Sequence, residues 1–246
     1  MRKFSFGLSL VLPAFNEEEN IEPVTIIADG VLRHLLPRYE IWLVDDGSRD
    51  GTAAAIERVK AEYPAVRSIT HDVNKGYGVA LRNAFAAATM PYVAFTDSDR
   101  QFDIVDIERL LPLAEQNDLV VGYRLRRLDP FVRKIYSRGY GLLIRTLFDL
   151  HVRDLNCALK LMERQKLLAL GLRSDHYFIN VEMLVKARAR GYRIAEVGVK
   201  HLPRAAGESK VTLSQIPNTL REVRRLYREL KHNPVGAHEP AGSPTR

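Results

Sequence analysis

Short apolar runs, each broken by a polar turn and followed by a helical pattern, constrain this chain more than anything else in it. Leu8–Leu12 is closed by Pro13; Glu40–Val44 runs into Asp45-Asp46-Gly47-Ser48; Val66–Thr70, Tyr92–Thr96 and Leu119–Gly122 repeat the theme. Between them the spacing predicts a helix after Asn16 and helices over Thr52–Tyr63, Gly78–Thr89 and Ile104–Gln116, the last capped by Asp103. Asn16 is expected to cap the first helix, with Glu17, Glu18 and Glu19 in its first turn, where the helix dipole favours acids. Strands alternating with helices predict an α/β fold, a mostly parallel, Rossmann-like sheet flanked by helices. In open sheets of this kind ligands sit at the carboxyl ends of the strands. Here those ends carry Asn16-Glu17, Asp45-Asp46, Asn74, Asp97–Asp99 and Arg124, and chemistry is expected there.

The second half is less regular. A helix is expected over Asp129–Leu150, dense in Arg, Lys and aromatics, then a strand at Ala158–Met162, a helix at Asn180–Arg190, a strand at Arg193–Val199 and a long basic helix at Thr212–Lys231. No internal repeat and no linker divides the chain, so 1–232 reads as a single domain, with a first half of about 8–124 and a second of about 125–232. The Pro/Gly/Ser-rich end, 233–246, cannot build a core and is expected to be a disordered tail.

A net charge of +7 over 246 residues points to an anionic partner, and the basic charge falls mostly after residue 120. A lone Cys157 excludes an intrachain disulfide framework and fits a reducing compartment. Met1–Phe6 leads into a strand and not into a leader, and no run of 18 apolar residues is present, so neither a signal peptide nor a transmembrane helix is expected. The segment Phe131–Leu150 and the stretch Arg221–Lys231 mix apolar and basic residues. The first suits an anionic membrane surface and equally a core helix with a solvated basic face; the second reads as an exposed charged face, the usual meaning of such a run, or as a helix resting on anionic lipid. The basic residues lack the interleaved aromatics of a nucleic-acid module, so no nucleic acid is expected.

In Val93-Ala94-Phe95-Thr96-Asp97-Ser98-Asp99-Arg100-Gln101 an apolar run ends in two carboxylates and an amide at alternate positions. If the segment stays extended, Asp97, Asp99 and Gln101 point the same way and suit a hard cation, Mg²⁺ or Mn²⁺, completed by substrate phosphates. A polar turn closing a buried strand would use the same residues. Asp45-Asp46-Gly47-Ser48 is either a tight turn or an acid that accepts from a base or ribose. Asn74-Lys75-Gly76-Tyr77-Gly78 opens a helix with two glycines, which would let backbone approach a phosphate or sugar; it lacks the Gly-Lys-Ser/Thr ending of a P-loop. Glu182 on its helix is either a sugar contact or solvated, and neither His176 nor His201 is assigned a catalytic part.

Taken together, Pro13-Ala14-Phe15-Asn16-Glu17, Asp45-Asp46-Gly47-Ser48, Asn74-Lys75-Gly76-Tyr77-Gly78 and Asp97-Ser98-Asp99-Arg100-Gln101 resemble family 2 glycosyltransferases in order and spacing, over about Leu8 to Lys210. More narrowly the chain is similar to the dolichyl- or polyprenyl-phosphate sugar synthases of mannose type. The resemblance implies a GT-A fold, a nucleotide-sugar donor (GDP-mannose or a UDP-sugar), Mg²⁺ or Mn²⁺, and a polyprenyl-phosphate acceptor. It implies donor binding by Pro13, Phe15, Glu17, Asp45, Asp46, Asn74 and Gly76, and a metal on Asp97, Asp99 and Gln101. Arg124 and Arg204 would meet the phosphates, and Arg133 and Ser137 the acceptor phosphate. It further implies an enzyme peripheral at the cytoplasmic face of the membrane, with room for a membrane-protein partner. A lipid phosphate is already an oxyanion, so no strong base is required, and one in-line displacement inverts the anomeric carbon. Family 2 transfer to a soluble saccharide and a noncatalytic nucleotide-sugar-binding module are the competing readings. Tyr77 stands where Lys is frequent, Arg100 where Leu is, Tyr123 where Ser or Thr is common, and Asp154–Lys160 departs from the usual Thr-Ser-Gly-Phe-Arg.

Overall fold

The computed structural model describes residues 4–125, 131–203 and 216–232. In chain order the elements are β1 (Gly7–Ala14), α1 (Glu18–Leu35), β2 (Arg38–Asp45), α2 (Thr52–Glu62), β3 (Val66–Thr70), α3 (Tyr77–Ala87), β4 (Tyr92–Phe95), α4 (Ile107–Ala114), β5 (Leu119–Arg124), α5 (Phe131–Phe148), β6 (Lys160–Glu163), α6 (Arg164–Ala169), α7 (Ile179–Ala189), β7 (Ile194–Val199) and α8 (Ile216–His232). The strands form one 7-stranded sheet in the order β3-β2-β1-β4-β6-β5-β7. Only β6 runs against its neighbours, β4 and β5.

The sheet is covered on both faces, which is why its central strands are nearly continuous apolar runs. On one side Leu8, Leu10 and Leu12 of β1 pack with Ile21, Val24 and Leu32 of α1, Ile56 of α2 and Leu110 of α4. On the other, Val11, Val93 and Phe95 pack with Leu81 and Phe85 of α3 and with Val181 and Leu184 of α7. The alternation within β1 follows from the two-residue period of a strand. Each fully buried Leu or Phe in these layers contributes about 1.5–3 kcal/mol over an exposed one.

The order also fixes where a ligand can enter. From β1 the chain steps outward to β2 and β3, then returns to lay β4 on the other side of β1. The reversal leaves a crevice above the carboxyl ends of β1 and β4, the topological switch point of an open sheet.

Two boundaries differ from the sequence reading for identifiable reasons. Pro13 does not close β1, which continues to Ala14 opposite Asp45. Pairing with β4 stops at Val11–Phe95, so the missing proline N–H falls where that ladder has already ended. The helix expected over Ile104–Gln116 is a 3₁₀ turn, Ile104–Asp106, followed by α4. Asp103 does cap it, accepting from Val105 N at 3.1 Å. The tail 233–246 and the residues 212–215 expected to begin α8 lie outside the described residues.

Candidate functional site

The crevice floor is built by backbone closure between the first and fourth strands. Thr96 N donates to Val11 O at 3.2 Å, and the Ser98 hydroxyl donates to Pro13 O at 2.8 Å. Beyond Phe95 the chain leaves the extended form: Asp99 Oδ1 accepts from Gln101 N at 3.0 Å, and Arg100 takes a φ of 60°. The expected pleat alternation of Asp97, Asp99 and Gln101 is therefore replaced by a turn held by Asp99 itself. Asp97 is half-buried and accepts from the Tyr77 hydroxyl at 2.9 Å. Asp99 is buried at 5% exposure. Gln101 O accepts from Leu202 N at 2.8 Å, and Phe102 forms a bridge with His201, their rings 5.6 Å apart. Residues 201–203 are thus laid against the motif. Arg204 follows directly but lies outside the described residues.

On the other side of β1, the ends of β1 and β2 are stitched together. Asn16, at a φ of 51°, accepts from Arg49 N at 2.8 Å, and its own N–H donates to Ser48 Oγ at 2.9 Å. It does not cap α1. The residue before α1 is Glu17, which makes no side-chain cap; its N–H donates to Thr52 Oγ1 at 2.8 Å. Glu17 is buried and accepts from Asn20 Nδ2 at 2.8 Å, while Pro13 is buried and Phe15 half-buried beside it. Asp45 Oδ1 accepts from Ser48 N at 2.9 Å, closing the turn.

Asp46 is committed to the next loop. Its Oδ1 faces His71 Nδ1 at 2.7 Å and accepts from Lys75 N at 2.9 Å, while Oδ2 accepts from Gly76 N at 2.8 Å. Asn83 Nδ2 lies 2.9 Å from His71 Nε2, so an amide donor there places the imidazole proton on Nδ1, aimed at Asp46. Motif reading missed His71, which no short-range signal ties to Asp46. Asn74 is exposed at the loop's rim. The two glycines admit the protein's own chain. A Cβ on Gly76, whose φ is 104°, would sit 2.7 Å from His176 Nδ1 and closer to Asp175 O. One on Gly78 would sit 2.9 Å from the carbonyl carbons of Ser174 and Asp175 and closer to Ser174 O. The sequence reading for this loop is close backbone approach of a phosphate or sugar; at the two glycines it is residues 174–176 that approach. Gly78→Ala is accordingly expected to cost about 3 kcal/mol, at the upper end of overpacking, because backbone must yield; urea unfolding measures it, and a loss under 1 kcal/mol would contradict this packing.

At the end of β5, Arg124 forks onto Asp154, Nε to Oδ2 at 2.6 Å and Nη2 to Oδ1 at 2.9 Å, with both side chains at most 10% exposed. Behind Asp97 lies a lysine that motif reading did not single out. Lys160, fully buried opposite Phe95 on β6, donates to Cys157 O and, at 2.6 Å, to Asn180 Oδ1. Desolvation pushes its ammonium down to about 8. Burial likewise pushes the Cys157 thiol up to about 12, which makes it a packing residue and not a nucleophile. Glu182 is neither solvated nor open to a ligand: at zero exposure it accepts from Arg173 N and Ser174 N and pairs with Lys186 at 2.8 Å. Arg133 and Ser137 fall on α5, but their side chains lie outside the described residues.

Among the described residues no group of three or more His, Cys, Asp or Glu is arranged to hold a metal. Asp97, Asp99 and the Gln101 amide offer hard oxygens only, which fits Mg²⁺ or Mn²⁺ shared with substrate phosphates and does not suit a soft ion. No helix among the described residues is long and apolar enough to cross a membrane.

Residues 9–180 match the family described as glycosyl transferase family 2. The glycosyltransferase AglD of Haloferax volcanii is 33% identical over 216 residues, covering 84% of this chain and 34% of that protein. Dodecaprenyl-phosphate galacturonate synthase of Rhizobium johnstonii is 33% identical over 216 residues, covering 86% of this chain and 63% of that one. The chain thus spans about a third of the first relative and just under two thirds of the second. Among solved structures, glucosyl-3-phosphoglycerate synthase from Mycobacterium tuberculosis with Mn²⁺ and UDP-glucose aligns with a TM-score of 0.68 at 23% identity, over 90% of this chain and 77% of that one. That likeness shows the fold, a GT-A glycosyltransferase sheet.

Proposed function

The chain belongs to glycosyl transferase family 2, and from that premise we propose that it transfers a sugar from a nucleotide-diphosphate sugar to a polyprenyl phosphate, with inversion, at the cytoplasmic face of a membrane. The observation that carries the proposal is the β1/β4 crevice, where the Asp97–Asp99 segment leaves β4, tied to Pro13 O through Ser98, next to the stitched ends of β1 and β2. The lipid acceptor is supported by the relative named for dodecaprenyl phosphate.

In this reading Pro13, Phe15, Glu17 and Asp45 hold the base and ribose, and Asp46 works from behind by fixing the loop of Asn74 and Gly76. Asp97, Asp99 and Gln101 hold a divalent cation, which when bound draws charge from the departing diphosphate. Arg124 would add a fixed positive charge near the phosphates, its fork oriented by Asp154. Arg204, directly after the segment that pairs with Gln101 and Phe102, would close over the same phosphates. Arg133 and Ser137, four apart on α5, would grip the lipid phosphate as attacking group. The acceptor oxygen is already anionic, so the residues orient and stabilise charge and need not remove a proton.

The test is sugar transfer from UDP- and GDP-sugars, with and without Mn²⁺, to polyprenyl phosphate and in parallel to soluble saccharides. Metal-dependent transfer to the lipid alone is expected. Transfer only to a saccharide would move the acceptor assignment, and donor binding without turnover would leave a binding module. Docking has its own check. Leu142 and Leu147 on α5 and Leu220 and Tyr227 on α8 are exposed, beside exposed Arg145, Arg221, Arg224, Arg228 and Lys231. Co-flotation with anionic vesicles at low salt, lost at about 1 M salt, is expected; indifference to vesicle charge would remove the membrane reading.

A further inference from the structure

One carboxylate closes the loop between β3 and α3. Asp46 Oδ1 lies 2.7 Å from His71 Nδ1 and accepts from Lys75 N at 2.9 Å, while Oδ2 accepts from Gly76 N at 2.8 Å, where α3 begins. An ionised carboxylate only accepts, so Nδ1 carries the imidazole proton, and Nε2 is left as an acceptor facing Asn83 Nδ2 on α3. Of the three donors, the two amides belong to the loop that is being placed. His71 is the one set from outside it: its N–H donates to Asp45 O at 2.9 Å, extending the β2–β3 ladder, and its ring is braced by Asn83. The His71 and Asp46 side chains are 3% and 5% exposed, so the pair is shielded from solvent. Between the fastened ends Asp72, Val73, Asn74 and Lys75 are exposed. This loop lies directly on the Asp45–Ser48 turn. Gly47 has a φ of 74°, and a Cβ there would sit 2.6 Å from Asn74 N and 2.8 Å from Val73 Cα.

We propose that His71 is a positioning residue for the nucleotide end of the donor, its Nδ1–H fixing the Asp46 carboxylate that fastens the 72–76 loop across the Asp45–Ser48 turn. The proposal rests on the reading in which Asp45 and the neighbouring ends of β1 and β2 hold the base and ribose. His71 reaches both acids of that pair, Asp45 through its backbone and Asp46 through its ring. Without the ring proton the buried carboxylate keeps only the loop's own amides. The loop and the turn beneath it then gain conformers that nucleotide binding must remove. Asp97 and Asp99 follow β4 and stand outside this loop, so the loss should fall on affinity and not on turnover of bound donor.

The experiment compares wild type, His71→Asn and His71→Gln. It measures UDP and GDP binding with Mn²⁺ by calorimetry, kcat for transfer to polyprenyl phosphate at saturating donor, and hydrogen exchange of the Lys75 and Gly76 amides by NMR. An asparagine amide superposes on Nδ1 and keeps a donor toward Asp46; a glutamine amide reaches the Nε2 position and does not. His71→Gln should weaken nucleotide binding and speed the exchange about tenfold each, the usual size for a hydrogen bond to a charged group, with kcat within about twofold. His71→Asn should stay within about threefold of the wild type in all three. In an Asp46→Ala background His71→Gln should cost less than about twofold, because the group it acts through is gone. Wild-type-like binding by His71→Gln, equal losses in the Asn and Gln variants, or a loss confined to kcat overturns the proposal. So does a His71→Gln protein that fails to fold, since His71 would then support the domain at large and not this loop. A wild type that binds neither nucleotide, or an Asp45→Ala variant that binds as the wild type does, instead overturns the donor-site reading, and the exchange comparison still decides whether His71 fastens the loop.

Discussion

Asp99→Asn is expected to lower the proposed sugar transfer by about 10²–10³-fold and to leave the protein folded. The structural half of this expectation follows from the turn. Asp99 is buried and its Oδ1 accepts from Gln101 N, a role the amide oxygen of asparagine can fill without change of shape. What asparagine cannot supply is charge. If Asp99 serves the proposed cation and diphosphate, its buried carboxylate acts in a medium where charge is poorly screened, and removing one such electrostatic contribution costs about 2.7–4 kcal/mol of barrier. Raising Mn²⁺ should restore part of the rate if the loss is in metal affinity. The measurement is kcat and KM for the donor across a metal titration, beside a thermal unfolding midpoint. A folded variant with near-normal kcat would take the cation away from Asp97, Asp99 and Gln101 altogether.

That expectation could be framed from the motif, but its structural half could not. The carboxyl ends of β1, β2 and β4 were legible because an apolar run meeting Asp or Asn marks the place where a buried strand surfaces. The sheet was legible as mostly parallel from strand–helix alternation, yet the antiparallel β6 between β4 and β5 was not. It is a four-residue strand with Lys160 at its start, and strand order depends on partners more than sixty residues away. Local reasoning also misplaced the small polar residues. Asn16 looked like a helix cap because that is what Asn before an acidic turn usually does; in the fold it serves the Ser48-Arg49 turn instead. Gly76 and Gly78 signalled close approach correctly, but sequence does not say what approaches, and here it is residues 174–176. Glu182 on its helix was read as a sugar contact or as solvated, since statistics favour both over burial. It is buried instead, as are Lys186 on the same helix and Lys160 on β6, because each finds partners through the tertiary fold.

Lys186→Met is expected to destabilise the protein by about 3–5 kcal/mol, the cost of stranding a buried charge. Lys186 is 2% exposed and joins three elements, reaching Glu182 Oε1 at 2.8 Å, Glu229 Oε1 at 3.1 Å on α8 and Gly171 O at 2.8 Å. Burial by itself would raise the Glu182 carboxyl, but the Lys186 ammonium and the hydrogen bonds from Ser174 outweigh it and hold the group below the usual carboxylate range. Its pKa is thus lower in the folded chain than in the unfolded one, near 4.5. The stability it contributes is present above about pH 4.5 and is lost as pH falls through the folded value. Without Lys186 the balance is expected to reverse: the amides of Arg173 and Ser174 alone do not offset desolvation, Glu182 is pushed up, and the variant should be weakest at neutral pH and approach the wild type in acid. Glu182→Leu with Lys186→Met removes both charges and should recover most of the loss. The loss should also reach the crevice, because Glu182 holds the amides of Arg173 and Ser174, and Asp175 O accepts from Gly78 N at 2.8 Å where α3 begins. Urea unfolding at pH 7 and pH 4 for the wild type, the single and the double variants decides the matter. A single-variant loss below about 1 kcal/mol at pH 7, or one that does not shrink in acid, would mean that the ion pair is not what fastens α7 to the loop beneath the site.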